Sequence, residues 1–261
     1  MKRILITGGP TNEYIDEVMK ITNMSSGKIA ISMAKLFLDE GCDVTLLITK
    51  TVRNPFLVNM EANENCHIVY FETTEQLLNS METLATMGTY DIIIHSAAVA
   101  DYKPEFSFRL EDMAKEIVDY IGRNARDIYE WHLDKDTYED IFEILSNPKC
   151  KVNDNTKISS VEPNLTVKLG LTPKIIARLR TMFPSAIICG FKLLENVPEE
   201  ELVDAAMKQI QKCNTDLVFA NDLAELRRGK AERLVVNKNG YNGVRVDGAK
   251  GIVNFLKMFY F

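Results

Sequence analysis

The chain is poor in the residues that build metal and redox sites. Its three histidines are isolated, and its five cysteines (Cys42, Cys66, Cys150, Cys189, Cys213) are odd in number and widely spread. With no CxxC pair, neither a zinc site nor a disulfide framework is suggested, and a reduced, cytoplasmic protein is expected. No Ser/His/Asp or Cys/His arrangement can be assembled. No apolar run approaches the ~20 residues of a membrane span, and "MKRILITGG" enters a strand at once without a signal-like apolar region, so no membrane partner is expected. Positive charge is not in excess either. Lys plus Arg number 31 against 37 acids, a net charge of -6. That argues against a broad nucleic-acid-binding surface, although one local anion site stays possible. What remains is ordinary for a globular protein, at 46% hydrophobic and 26% charged residues.

Strand and helix patterns alternate. "RILIT" (3–7) is a short apolar run ended by Gly8-Gly9-Pro10. A helical stripe follows from Ser26, with Ile29, Met33, Leu36 and Phe37 on one side and Gly41 where a C-terminal cap belongs. "DVTLLIT" and "HIVYF" are read as strands, with a loop near Asn54-Pro55 between them. A helix from Thr73 carries Leu77, Leu78, Met81 and Leu84, and "DIIIHSAAV" is a strand buried on both faces. Thr172-Pro173 is expected to open a helix, with threonine as its cap. "AIICGF", a helix after Pro198 and "DLVFAND" follow. A hairpin around Asn239-Gly240 and a final apolar helix close the chain. The expected fold is α/β: a doubly wound, mostly parallel Rossmann-like sheet, in one domain over 1–261. Residues 105–156 break the rhythm. They are charged, hold Trp131 and read as helices over 111–133 and 136–147 with no strand, so a helical insertion, an arm or a lid, is expected.

In open parallel sheets, ligands bind beyond the carboxyl ends of the strands. Those ends carry Gly8-Gly9, then Ala97, Ala98 and Asp101, then Phe191, and finally Asn221-Asp222, a composition suited to a nucleotide pocket. The glycine pair is not GxGxxG, and it serves equally well as a simple chain turn. "TNMSSGKIA" says more. A helix beginning at Ser25-Ser26-Gly27 offers unpaired amides and the positive dipole end, with Asn23 as a side-chain donor and Lys28 nearby. Plain serine N-capping is the alternative. Asp101 fits either a ligand hydroxyl or a surface turn. Lys157, Lys208 and Lys212 are not separable from solvating lysines on local grounds. His95, in a buried strand, is expected to be a satisfied core residue.

Six blocks in order, "GGPTNEYIDEVMKITNMSSGKIA", "HSAAVADYKP", "TKISS", "LTPKII", "GFKLLE" and "DLVFANDL", resemble the phosphopantothenoylcysteine synthetases, in the free-standing bacterial form. The likeness covers almost the whole chain apart from 105–156 and the extreme C-terminus. It implies a ligase of coenzyme A biosynthesis. By that implication a nucleoside triphosphate, CTP as in most bacterial members or else ATP, with Mg²⁺ on its phosphates, activates 4′-phosphopantothenate, and L-cysteine then attacks the acyl-nucleotide. The metal ion needs no dedicated protein ligands, and a homodimer is implied. By the same likeness Asn23 holds the acyl-nucleotide and Lys157 is essential for activity. Ala97, Ala98 and Asp101 line the intermediate, Phe191 lies on the nucleotide side, and Lys208 and Lys212 bind the triphosphate. With the resemblance, the helix start at Ser25, Ser26 and Gly27, with Asn23 beside it, is expected to hold a phosphate-bearing acyl intermediate, and Gly8 and Gly9 are counted in the same nucleotide- and intermediate-binding set. Where the family carries arginine four residues before the asparagine, this chain has Met19, with Lys20 next. That departure motivates the alternative of a catalytically impaired nucleotide-binding regulatory protein of the same fold.

Overall fold

The computed structural model describes residues 1–124, 135–152 and 157–261. Trp131 and the distal part of the helix expected over 111–133 lie outside the described residues. The chain forms two compact units, one of Met1–Asn12, Thr22–Ala100 and Pro173–Phe261, the other of Glu13–Ile21 and Asp101–Thr172.

The elements up to the end of the first unit's middle segment are β1 (Arg3–Gly8), β2 (Asn12–Tyr14), β3 (Lys20–Thr22), α1 (Lys28–Asp39), β4 (Asp43–Thr49), α2 (Pro55–Glu61), β5 (Cys66–Phe71), α3 (Thr74–Met87) and β6 (Ile92–His95). The second unit continues with β7 (Tyr102–Arg109), α4 (Leu110–Asn124), α5 (Lys135–Ser146), β8 (Lys151–Val152) and β9 (Leu165–Leu171). The first unit resumes with α6 (Ile175–Met182), β10 (Ile187–Leu194), α7 (Glu199–Cys213), β11 (Leu217–Asp222), α8 (Leu223–Arg227), β12 (Glu232–Asn237), β13 (Gly240–Asp247) and α9 (Gly248–Tyr260).

An eight-stranded sheet in the order β13-β12-β11-β10-β6-β1-β4-β5 organises the first unit. The pairs from β11 to β5 are parallel, and β12 and β13 close the edge antiparallel. Apolar β-branched runs suit strands that are covered on both faces. On one face Ile4, Ile6, Leu46, Cys189, Phe219 and Val235 pack with side chains of α1 and α9. On the other, Leu5, Leu47, Ile93 and Ile188 pack with α3 and α6, and Val218, Ala220 and Leu234 pack with α7. The α/β, mostly parallel, doubly wound architecture read from the sequence is therefore present, as are its C-terminal hairpin and helix.

Local details differ from the sequence reading. The segment at Asn54-Pro55 is not a loop: Asn54 caps Phe56 N at 3.0 Å and Pro55 opens α2, the arrangement that an extended asparagine followed by proline favours. Thr172 does not cap α6, whose N-cap is Lys174. The hairpin turn falls on Lys238-Asn239, with Asn237 opposite Gly240. The stretch 105–156 is not purely helical, because β7 and β8 join β9 in a three-stranded antiparallel sheet, β8-β7-β9. Phe106, Phe108 and Met113 form its own small core with Ile117 and Ile144.

Candidate functional site

The start of α1 differs from a serine-capped helix. Its N-cap is Gly27, in the left-handed region at φ 67°, with no side-chain cap bond and no acid in the first turn. Ser25 is half-buried and Ser26 exposed; among the described residues neither hydroxyl caps the helix. The first-turn amides are thus left with the positive end of the helix dipole uncompensated. Gly27 is needed there twice over. A side chain would be strained at that φ, and its Cβ would sit 3.3 Å from Gly9 N and 3.0 Å from the Ile48 side chain. Gly8 is equally constrained, since a Cβ would come within 2.3 Å of Ala30 Cβ. These glycines let α1 press onto the carboxyl end of β1.

Around that entrance the loops after β1 and β6 are sewn together. Ala98 N donates to Gly9 O (2.9 Å) and Thr11 N to Ala98 O (3.2 Å). Threonine hydroxyls finish the seam: Ala97 N donates to Thr7 Oγ1 (3.2 Å), Ala100 N to Thr11 Oγ1 (2.9 Å), and Thr22 Oγ1 to Thr11 O (2.9 Å). The Thr49 hydroxyl donates to the Pro10 carbonyl. Asn23 donates its side-chain amide to Ala98 O (3.3 Å) and Val99 O (3.1 Å). Its amide hydrogens therefore serve the protein. His95, below the seam, is 7% exposed and bonds Thr7 Oγ1 through Nδ1 at 2.9 Å. Burial pulls its pKa down to about 4, so it is a neutral core residue, as expected.

Gly8, Gly9, Asn23, Ser25, Ser26, Gly27, Ala97 and Ala98 are thus gathered at one sheet edge. Phe191 joins the same edge, one residue past the Gly190–His95 pair of β10 and β6, with its ring 5.5 Å from Phe219. Lys208 and Lys212 are exposed on the C-terminal half of α7. Gln209, next to Lys208, lies against Gly190, the residue before Phe191: a Cβ there would come 2.4 Å from Gln209 Nε2.

Asp101 and Lys157 belong to the second unit. Asp101 is exposed and its carbonyl accepts Thr172 N at 3.0 Å. Lys157 is exposed, and its neighbour Ile158 donates N–H to Asp16 Oδ2 at 2.9 Å. Asp16, 4% exposed, also takes Val18 N (2.7 Å) and Met19 N (2.6 Å) on Oδ1. Those amides, that of Met19 foremost, hold its carboxyl below the usual range, and Lys157 contributes in the same direction. One aspartate thus fixes both the β2–β3 turn and the segment bearing Lys157. Met19 is partly exposed on that turn, and the ammonium of Lys20 lies 6.0 Å from the Tyr14 ring. Beside them is a cavity of about 520 Å³ between Tyr14–Glu17 and Pro104–Ser107.

Residues 1–118 match the family described as the DNA/pantothenate metabolism flavoprotein C-terminal domain. The crystal structure of the DNA/pantothenate metabolism flavoprotein from Streptococcus pneumoniae is 30% identical, with a TM-score of 0.76, over 99% of this chain and 97% of that one. The chain belongs to the DNA/pantothenate metabolism flavoprotein family. The coenzyme A biosynthesis bifunctional protein CoaBC of Thermococcus kodakarensis is 30% identical over 238 residues, 91% of this chain and 45% of that protein. The chain spans about half the length of the curated relatives it matches. A mutant of Cab2, solved with phosphopantothenate-cysteine, shares the fold at a TM-score of 0.63 and 18% identity.

Two features of this family member escaped the sequence reading. Asp16 lay inside the quoted "GGPTNEYIDEVMKITNMSSGKIA" yet has no local mark beyond a turn-forming residue type. Arg233 was overlooked because a charged residue at a strand start reads as solvated; it is only 9% exposed.

Proposed function

We propose that this chain is a phosphopantothenate–cysteine ligase of coenzyme A biosynthesis that uses CTP, with ATP as the other nucleotide to test. The observation that carries the reading is the uncapped, acid-free entrance of α1 beside Gly9, Asn23 and Ala98. Such an end binds phosphate-type anions through backbone amides and the helix dipole. The names of the relatives supply the substrate class.

In the proposed reaction a carboxylate oxygen of 4′-phosphopantothenate attacks the α-phosphorus of the nucleotide, and the bond to the β-phosphate oxygen breaks to release pyrophosphate. The amine nitrogen of L-cysteine then attacks the acyl carbon. The nucleoside monophosphate leaves with the electron pair of the acyl–oxygen bond, and the amine proton passes to solvent. The nucleotide enters as its Mg²⁺ complex, because Mg²⁺ binds readily through phosphate oxygens. The α1 amides, with Ser25, Ser26 and Gly27, neutralise phosphate charge. Asn23, its amide hydrogens committed to Ala98 and Val99, presents Oδ1 as a fixed acceptor that orients the acyl group. Ala97 and Ala98 leave room for it. Phe191 lies on the nucleotide side. Asp101, Lys157, Lys208 and Lys212 keep the roles that the resemblance implies, Lys157 as a mobile point charge following the phosphate oxygens. A homodimer and a cytoplasmic setting complete the proposal; among the described residues no helix is long and apolar enough to cross a membrane.

A pyrophosphate-release assay with 4′-phosphopantothenate, CTP or ATP, with and without cysteine, tests this. Release that needs both 4′-phosphopantothenate and nucleotide is expected, with amide product only when cysteine is present. Release indifferent to 4′-phosphopantothenate sinks the reading. Met19, at the position of the family arginine, favours one second reading: a nucleotide-binding regulatory protein without turnover. Nucleotide binding with no product under any condition selects it.

A further inference from the structure

Arg233 is a buried cation without a carboxylate partner among the described residues. It is the second residue of β12 and is 9% exposed. Nη1 donates to Ala231 O at 2.8 Å. Nε is buried with no hydrogen-bond acceptor, and among the described residues no carboxylate forms an ion pair with this guanidinium. Burial lowers its pKa from the ordinary arginine value, and the nearby charge of Asp247 only partly opposes that. An uncompensated buried charge of this kind costs several kcal/mol. A chain that keeps one is short of an anion.

The strand register says where that anion would sit. One residue beyond the Ala220–Leu234 pair of β11 and β12 come Asn221 and Arg233. Strand alternation puts Arg233 on the same face as Val235, the face packed by α1 and α9. Phe191 and Phe219 share that face, and the Arg233 guanidinium lies 6.0 Å from the Phe191 ring. Because β12 runs antiparallel to β11, its first residues reach the edge where the parallel strands end. Arg233 therefore occupies the same edge and face of the first unit as the α1 entrance, on the Phe191 side.

We propose that Arg233 binds the phosphate chain of the nucleoside triphosphate, closing the Phe191 end of the anion site whose other end is the α1 entrance. The inference rests on the nucleotide reading above and extends it to a residue outside the six quoted blocks. A guanidinium whose Nε–H lacks an acceptor among the described residues is suited to phosphate oxygens, and the apolar ring beside it would strengthen the contact by excluding water.

Binding of CTP, inorganic tripolyphosphate and cytidine to the wild type and to Arg233→Met and Arg233→Lys tests it by calorimetry, alongside the melting temperatures of the ligand-free proteins. Arg233→Met should weaken CTP and tripolyphosphate roughly ten- to hundredfold, as loss of a charge-assisted contact does. Cytidine binding should stay unchanged. Ligand-free Arg233→Met should melt no lower than the wild type, since it loses an uncompensated charge. Arg233→Lys should keep part of the CTP affinity. Unchanged CTP and tripolyphosphate affinity in Arg233→Met overturns the proposal. So does an equal loss for cytidine and CTP, which assigns the guanidinium to base or ribose. Should Arg233→Met fail to fold, Arg233→Lys with wild-type CTP affinity and a lowered melting temperature marks a structural role and overturns it too. A wild type that binds tripolyphosphate through Arg233 but releases no pyrophosphate from CTP sinks the ligase reading alone. A wild type that binds neither anion sinks both.

Discussion

Asn23 donates its side-chain amide to two consecutive carbonyls, those of Ala98 at 3.3 Å and Val99 at 3.1 Å. An aspartate at this position would turn both contacts into repulsion between oxygens. Asn23→Asp is expected to lose about 1–2 kcal/mol of stability and to lose product formation. Chemical denaturation and the coupled assay check it; a variant with wild-type turnover removes Asn23 from the site.

Gly9 and Gly41 separate backbone strain from crowding. Both have positive φ, 79° and 74°, but a Cβ at Gly41 meets nothing within 4 Å, while one at Gly9 lies 2.6 Å from Thr49 Oγ1. Gly41→Ala should cost about 1 kcal/mol, and Gly9→Ala about 3 kcal/mol once the displaced threonine is included. Equal midpoints for the two variants in urea would contradict the packing described at β1.

His95 should make the protein acid-sensitive. Its folded pKa is depressed to about 4 from 6.5, so the unfolded state takes up the proton first. The corresponding stability, about 3 kcal/mol, is complete above pH 6.5 and is lost as pH falls toward 4. His95→Asn keeps a partner for Thr7 without the titration. Its melting temperature should vary less between pH 7 and 4.5 than that of the wild type.

Asp16 should control the segment that bears Lys157. Asp16→Ala frees the amides of Val18, Met19 and Ile158 together. Faster proteolytic cleavage near 157–160 and reduced turnover are expected, while Asp16→Asn, which keeps an acceptor oxygen, should retain more activity. Cleavage rates equal to wild type would break the assigned link.

Much of the first unit was legible because its strands are uninterrupted apolar runs and its helices have clear stripes, as in "DVTLLIT" and the helix after Thr73. The second unit was not. Strand β7 reads "YKPEFSFR", with a proline and three charges, and its ladder shifts register between Pro104 and Phe106. A bulge of this kind breaks the alternation that sequence reading depends on. At the candidate site, Gly27 and Asn23 stood out because small and amide residues crowd one helix entrance. The capping alternative could be settled only by seeing that neither serine turns toward the helix. Lys208 and Lys212 could not be told from solvating lysines, because spacing on a helix does not reveal what that helix faces.

The reversal of β12 carries a lesson for comparing relatives. Anyone aligning residues just downstream of parallel strands would inspect the tails of β1, β6, β10 and β11 and stop. In this architecture the reversed β12 delivers its contribution upstream, at the head of a strand, so Arg233 falls outside such a search although it stands at the same end of the sheet.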